Sequence, residues 1–284
     1  MLDESEFDLP PPHTLYRGGV ALSMTRVRVR RERPTALALA VALCVTMLVV
    51  YVLTLDVKGA DVVESMATAP RVTKEIAFDG LTGWGVSMAT CESPQAARLQ
   101  ASAWVSRGAA GCVFQLDGQW RVLGALYESR KEAERVSKRL AEDEGIPAEV
   151  VPLEAKGMTL RVTAPQAQID ALSGADALLR QQISQLGQVA LQLDRGEINP
   201  EAARALCALA VTEAEKQADL LAAIPGAGEN ALCAALIERL RELAQMQDTA
   251  AKADRADSAA LSGLLRGAQI EGFLGMLEMM SANY

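Results

Sequence analysis

Catalysis needs side chains that attack, exchange protons or hold a metal, and this chain offers few of them in usable company. Its only histidine, His13, lies in the run Leu9-Pro-Pro-Pro-His13-Thr. A proline-rich tail leaves it solvated, which removes Ser-His-Asp and Cys-His catalysis and histidine-rich metal sites. No Glu-x-x-His pair exists to build a carboxylate–histidine centre in a helical bundle. The carboxylates Glu92 and Glu128 precede helix starts, where capping and the helix dipole account for them. A glycosidase pair is defined by its separation across a cleft, which spacing along a chain does not give. The residues therefore predict a protein that is not an enzyme and has no catalytic residue, no metal and no cofactor.

What remains is binding, and the elements that would position a binding surface are written as a repeat. An offset of 36 aligns Trp84/Trp120, Val86/Val122, Ala89/Ala125, Glu92/Glu128, Ser93/Ser129 and Ala97/Ala133. Each copy reads as a strand of period two, then Glu-Ser, then a helix with an apolar stripe. In the first strand Trp84, Val86 and Met88 fall on one face and Gly85, Ser87 and Ala89 on the other. Ser93-Pro94 is an N-cap with proline at the first helical position, and Ser129-Arg-Lys-Glu132 spells a capping box. Asp117-Gly118 joins Gly111–Leu116 to Trp120–Leu126 as a hairpin, and Gly145 is placed to end the second helix. Ala148 to Pro152 adds a last strand. The order is βαββαβ, an antiparallel sheet with two helices on one face and the other face open. Trp104 is expected to face the sheet beside Ala97 and Ala101. Thr73–Phe78 and Met158–Thr163 are candidate edge strands.

Three features carry a resemblance to a known family: the strand Val86-Ser-Met-Ala-Thr-Cys91, the strand Trp120-Arg-Val-Leu-Gly-Ala-Leu-Tyr127, and the two Glu-Ser-x-x-x-Ala helix starts. Over about a quarter of the chain these resemble the SPOR (sporulation-related repeat) domain of bacterial envelope proteins. The resemblance implies an α+β SPOR-like domain that binds peptidoglycan glycan strands stripped of their peptide stems. The family's first strand usually carries Val-Gln-Val-Gly-x-Phe, where this chain has Ser87, Ala89 and Cys91. Its third usually reads Arg-Val-Arg-Val-Gly, where this chain keeps Arg121 but has Leu123 and Ala125. On the open face a glycan would find room at Gly85, Ser87 and Ala89, an apolar floor at Leu123, hydrogen bonds from Arg121 and Gln115, and a stacking ring at Tyr127. A solvated strand residue is the competing reading of Arg121.

Outside the repeat, Thr35–Leu55 carries no charge and as a helix would span about 30 Å, the thickness of a bilayer core. Arg26, Arg28, Arg30, Arg31 and Arg33 crowd its amino end, so the positive-inside rule places the N-terminus in the cytoplasm and the rest outside. A cleaved signal peptide fits less well, because the apolar run and the tail before it are both long. Residues 1–34 read as a disordered cytoplasmic tail, 35–55 as one transmembrane helix, 56–72 as a spacer, 73–163 as the SPOR-like domain and 165–284 as an all-α helical bundle. In the bundle Ile169, Leu172, Asp176, Leu179, Ile183, Leu186, Ala190 and Leu193 form a three-four seam, and Gly196 ends that helix. Asn199-Pro200 opens a second helix, Leu232, Leu236, Leu240 and Leu243 mark a third, and Leu261 to Leu277 a fourth. Met276, Met279 and Met280 are either packing filler or an exposed partner face.

The net charge is −8, with six arginines already spent in the first 34 residues, so the remainder is more acidic still and suits no nucleic-acid partner. Five cysteines make an odd set, and Cys44 lies in the apolar span. Cys91 and Cys112 would sit on strands with another between them, too far apart to bond. Free thiols are expected, although an oxidising exterior leaves pairing open. Two functions follow. One is a single-pass membrane protein that binds glycan strands for cell division, sporulation or cell-wall organisation. The other is an assembly protein whose sheet has lost glycan binding and whose helical part binds another protein or itself.

Overall fold

The computed structural model describes residues 70–105 and 107–282. In chain order they form β1 (Arg71–Phe78), β2 (Leu81–Cys91), α1 (Pro94–Val105), β3 (Cys112–Leu116), β4 (Gln119–Tyr127), α2 (Arg130–Asp143), β5 (Glu149–Ala155) and β6 (Met158–Pro165). Four longer helices follow: α3 (Gln166–Asp194), α4 (Pro200–Ala222), α5 (Ala231–Ala251) and α6 (Ser258–Ser281).

Local chemistry sets most of the boundaries. Asp117 (φ 50°) and Gly118 (φ 77°) make the two-residue turn that places Leu116 opposite Gln119. Ser93 accepts the Ala96 N–H at 3.2 Å, with Pro94 as the first residue of α1. Asn199, Asn230 and Asp257 cap α4, α5 and α6 by accepting the N–H of Ala202, Cys233 and Ala260. Gly196 (φ 66°) lets the Glu197 N–H turn back to the Gln192 carbonyl and closes α3. The capping box at Ser129 does not form. Ser129 contributes no side-chain cap, and the Glu132 carboxylate lies 3.8 Å from Arg135 instead.

The four central strands pair antiparallel in the order β3-β4-β2-β5. Ala97 and Ala101 of α1 are buried against Val122, and α2 lies beside α1 on the same face. Strands β1 and β6 pair with each other as a separate two-stranded sheet, rather than adding edges to the first. The cause is a bend in the ribbon that β2 and β5 begin. Asp79-Gly80 and Lys156-Gly157 interrupt it, and a Cβ at Gly157 would lie 2.9 Å from the Gly80 nitrogen. Beyond the bend Ile76 and Phe78 join the apolar core that includes α3.

Every residue of the α3 seam from Ile169 to Leu193 is buried. Helix α6 is buried on nearly all sides, as a helix sandwiched between two layers must be. Away from the helices it packs on the four-stranded sheet. Phe273 lies over Gly83 so closely that a Cβ there would be 2.7 Å from its ring, and the Cys112 thiol donates to the Gly267 carbonyl at 3.7 Å. One continuous apolar cluster therefore runs from Leu123 and Val151 in the sheet to Leu240 and Met276 in the helices.

This corrects the expected fold class. A single open-faced SPOR-like sheet between a transmembrane helix and a helical bundle is replaced by an α+β arrangement with two antiparallel sheets, the larger of which has α6 on its second face. The physical reason is that Phe114, Leu123, Leu126 and Leu153 would otherwise leave an apolar face in water, and α6 supplies the matching surface. Among the described residues no helix is long and apolar enough to cross a membrane. The span expected at 35–55, Cys44, His13 and the tail lie outside the described residues. Cys91, Cys112, Cys207 and Cys233 are free thiols.

Candidate functional site

The structure divides the five residues expected to bind glycan. Leu123 is wholly buried beneath α6, and a Cβ at Gly85 would come within 2.8 Å of it. Ser87 stands opposite Leu123 and Glu149, is 2% exposed, and donates its hydroxyl to the Ala89 carbonyl at 3.1 Å. Arg121 is held by Glu149 at 2.6 Å with only 12% of its side chain exposed. Gln115 is exposed on edge strand β3, where strand alternation puts it on the α1 side with its partner Trp120. Tyr127 lines a cleft beside Val86 and Ala125, between the two short helices. Ser87, Arg121 and Leu123 thus share one face, while Gln115 and Tyr127 lie away from it.

A bulge explains part of the difference. Pairing steps from Val86/Ala125 to Ser87/Leu123 and then to Ala89/Val122, so Met88 and Gly124 drop out of the ladder. Ala89 is thereby turned toward the α1 cluster instead of lining the same face as Ser87. The space at Gly124 is filled by the Met88 side chain.

The surface feature that gathers chemistry is the cleft of about 310 Å³ between α1 and α2. Its floor is Val86, Met88, Gly124 and Ala125, and the small residues there leave the depth. The end of α1 contributes Trp104, and Arg107 just beyond it stacks over the indole at 5.0 Å from the ring centroid. The end of α2 contributes Arg139 and Leu140, with Glu144 just after it, 3.8 Å from Arg107. Asp194 and Arg266 reach in from α3 and α6 as an ion pair. Burial works against the charge of Arg266, but Tyr127 and Asp194 outweigh it and hold the guanidinium firmly protonated.

One group in this cleft is buried without a partner, and one cation on its rim is open to water. The Trp104 indole nitrogen is buried with no hydrogen-bond partner, although the ring packs on the Ala97, Ala101 and Val122 cluster as expected. Arg139 is exposed and has no ion-pair partner among the described residues. The described residues that line the cleft include no histidine, cysteine, serine or lysine, and both carboxylates face arginines. Among the described lining residues the one hydroxyl is that of Tyr127, which interacts with Arg266. Sequence reasoning missed it because its walls come from positions 86 to 266. The only local signal was Trp104-x-x-Arg107 at a helix end.

A second cavity, of about 320 Å³, lies between the start of β2 and helices α3 and α6. Its main polar groups are already committed: Arg180 donates to the Asp79 carbonyl at 2.7 Å and to Asp176 at 2.8 Å, and Ser184 donates to Glu128 at 2.6 Å. Set against known proteins, the chain matches no family model, no curated protein and no solved structure.

Proposed function

We propose that this chain is a membrane-anchored envelope protein of the assembly type, without enzymatic activity, in which the sheet is a scaffold for the helical layer. The anchor is the uncharged run 35–55, with the N-terminus cytoplasmic and the remainder outside. The helical layer binds another protein or a second copy. The resemblance to SPOR domains belongs to this proposal as the origin of the strand–helix repeat.

The observation that carries the reading is α6. It covers Leu123, Cys112 and Gly83, the surface on which a glycan strand would have to lie. Arg121, the best donor on that surface, is neutralised by Glu149. In the competing reading the protein binds peptide-stripped glycan, which requires α6 to leave the sheet and so expose an apolar core to water.

The test is one fractionation. The full-length chain should resist alkaline extraction from membranes and come off in detergent. Mixed with peptide-stripped glycan strands and sedimented, it should remain in the supernatant. Release by alkali would remove the anchor, and sedimentation with the glycan would return the function to glycan binding.

A further inference from the structure

We propose that the cavity between the start of β2 and helices α3 and α6 binds one residue of an extended polypeptide segment, taking up its backbone amide and its apolar side chain. The inference does not rest on the assembly reading, because every feature it uses lies in the cavity itself.

Gln269 is the first argument. It lines the cavity and is 7% exposed, yet its side-chain amide has no hydrogen-bond partner among the described residues. A Cβ at Gly187 would lie 2.8 Å from Gln269 Cδ and 2.9 Å from its Oε1, so the amide rests on α3 where that helix has no side chain. Neither its nitrogen nor its oxygen is sealed off as the Trp104 nitrogen is, so a molecule in the cavity reaches both. A largely buried amide without a partner is costly, and it both donates and accepts. A second amide satisfies both halves of it.

The edge of β2 is the second. Strand β4 pairs with β2 only as far as Tyr127 opposite Trp84 and then turns away into α2, while β5 stays paired with β2 down to Ala155 opposite Leu81. Successive residues of a strand aim their backbone groups at opposite sides, so within Leu81–Gly83 at least one N–H and C=O pair faces the place that β4 has left. No backbone bond from another described segment meets these three residues, and all three line the cavity. An extended segment supplies the matching N–H and C=O in strand register.

The third argument is the rest of the lining. Leu81, Leu126, Ile183, Phe273 and Met276 make apolar walls. The two charged residues there already have partners, Arg180 in Asp176 and Glu128 in the Ser184 hydroxyl, so the bound residue is uncharged. A volume of about 320 Å³ lies at the lower end of the range for small-molecule sites, which suits one enclosed residue with its neighbours outside.

The experiment uses the full-length chain in detergent, carrying isotope-labelled glutamine, and follows the side-chain amide resonances. Gln269→Met assigns the relevant signal. The probes are N-acetyl-leucine methylamide, its methyl ester, which lacks one N–H, and the longer acetyl-Ala-Leu-Ala methylamide. The methylamide should shift the Gln269 signal saturably, with the ester at least about fivefold weaker and the longer peptide tighter. Followed on the backbone resonances of Leu81–Gly83, Gln269→Met should weaken the methylamide by about fivefold or more. Gln181→Ala, on an exposed position of α3 outside the lining, should leave binding unchanged. No saturable shift, equal binding of methylamide and ester, no gain from the flanking residues, or no effect of Gln269→Met would overturn the proposal. The three probes are compared on the unaltered chain, so the test stands even where Gln269→Met folds poorly.

Discussion

Cys112 and Cys207 show how burial alone sets a residue's chemistry here. Cys112 is 5% exposed, and burial pushes its thiol well above the ordinary range, with the charge of Glu271 adding to the effect. Cys207 is pushed up to about 11 by burial. Both thiols stay protonated in the fold at a pH where an unfolded chain ionises, near 8.5. Above that pH the native state binds more protons than the unfolded one, so stability falls as pH rises. The slope is up to about 1.4 kcal/mol per pH unit for each group. Between pH 9 and about 11 the denaturant midpoint should therefore decline, and a Cys112→Ala, Cys207→Ala double variant should show a shallower decline. Equal slopes would mean that neither thiol is held protonated. At pH 8 an alkylating reagent should label half-buried Cys91 well ahead of these two, because the reagent reaches it from solvent while Cys112 and Cys207 are buried.

At the scale of elements the decisive contact is α6 on β2, and Gly83 is where it is tightest. A Cβ at that position would lie 2.7 Å from Phe273 Cζ and 3.0 Å from Leu126 Cδ1. Gly83→Ala should destabilise the chain by about 1 to 3 kcal/mol through overpacking. Combining it with Phe273→Leu should cost less than the sum of the two single changes, because the smaller side chain yields the space. Additive costs in equilibrium denaturation would show that the two residues do not press on each other. The elements themselves were largely legible. The α3 seam announces itself by three-four spacing, the hairpin by Asp117-Gly118 and the start of α4 by Asn199-Pro200. The bulge at Met88 and Gly124 was not, because an alternating pattern gives every residue the same weight and conceals a skipped one. Nor was the docking of α6. Its apolar residues fit a bundle core equally well, while Ser262, Gly263 and Gly275, which are buried as well, are what betray a second packed side. The candidate site suffered most. Ser87 and Leu123 do share a face, but no local pattern says that a helix more than a hundred residues later covers it.

For the whole molecule, the question is whether the sheet and the helical layer are separable. They share one apolar cluster in which Leu123, Leu126, Val151 and Leu153 are nearly or fully buried, with Phe114 packed against it. A fragment ending at residue 164 would uncover all of these at once. Contiguous apolar patches beyond a few hundred Å² drive association, and an aromatic side chain alone buries about 150 to 250 Å². The fragment covering residues 70–164 should therefore aggregate, or remain soluble only as an oligomer that binds a hydrophobic dye strongly. Supplying residues 165–284 as a second chain should restore a dye-silent one-to-one complex, because α6 carries the complementary surface with it. The same fragment also bears on function. If it is monomeric and silent to the dye, the cover is dispensable, α6 can leave the sheet at little cost, and the face bearing Ser87, Arg121 and Leu123 becomes available to a glycan strand. If it aggregates and is rescued in trans, the sheet and helices fold as one unit, and partner binding must use surfaces that leave α6 in place.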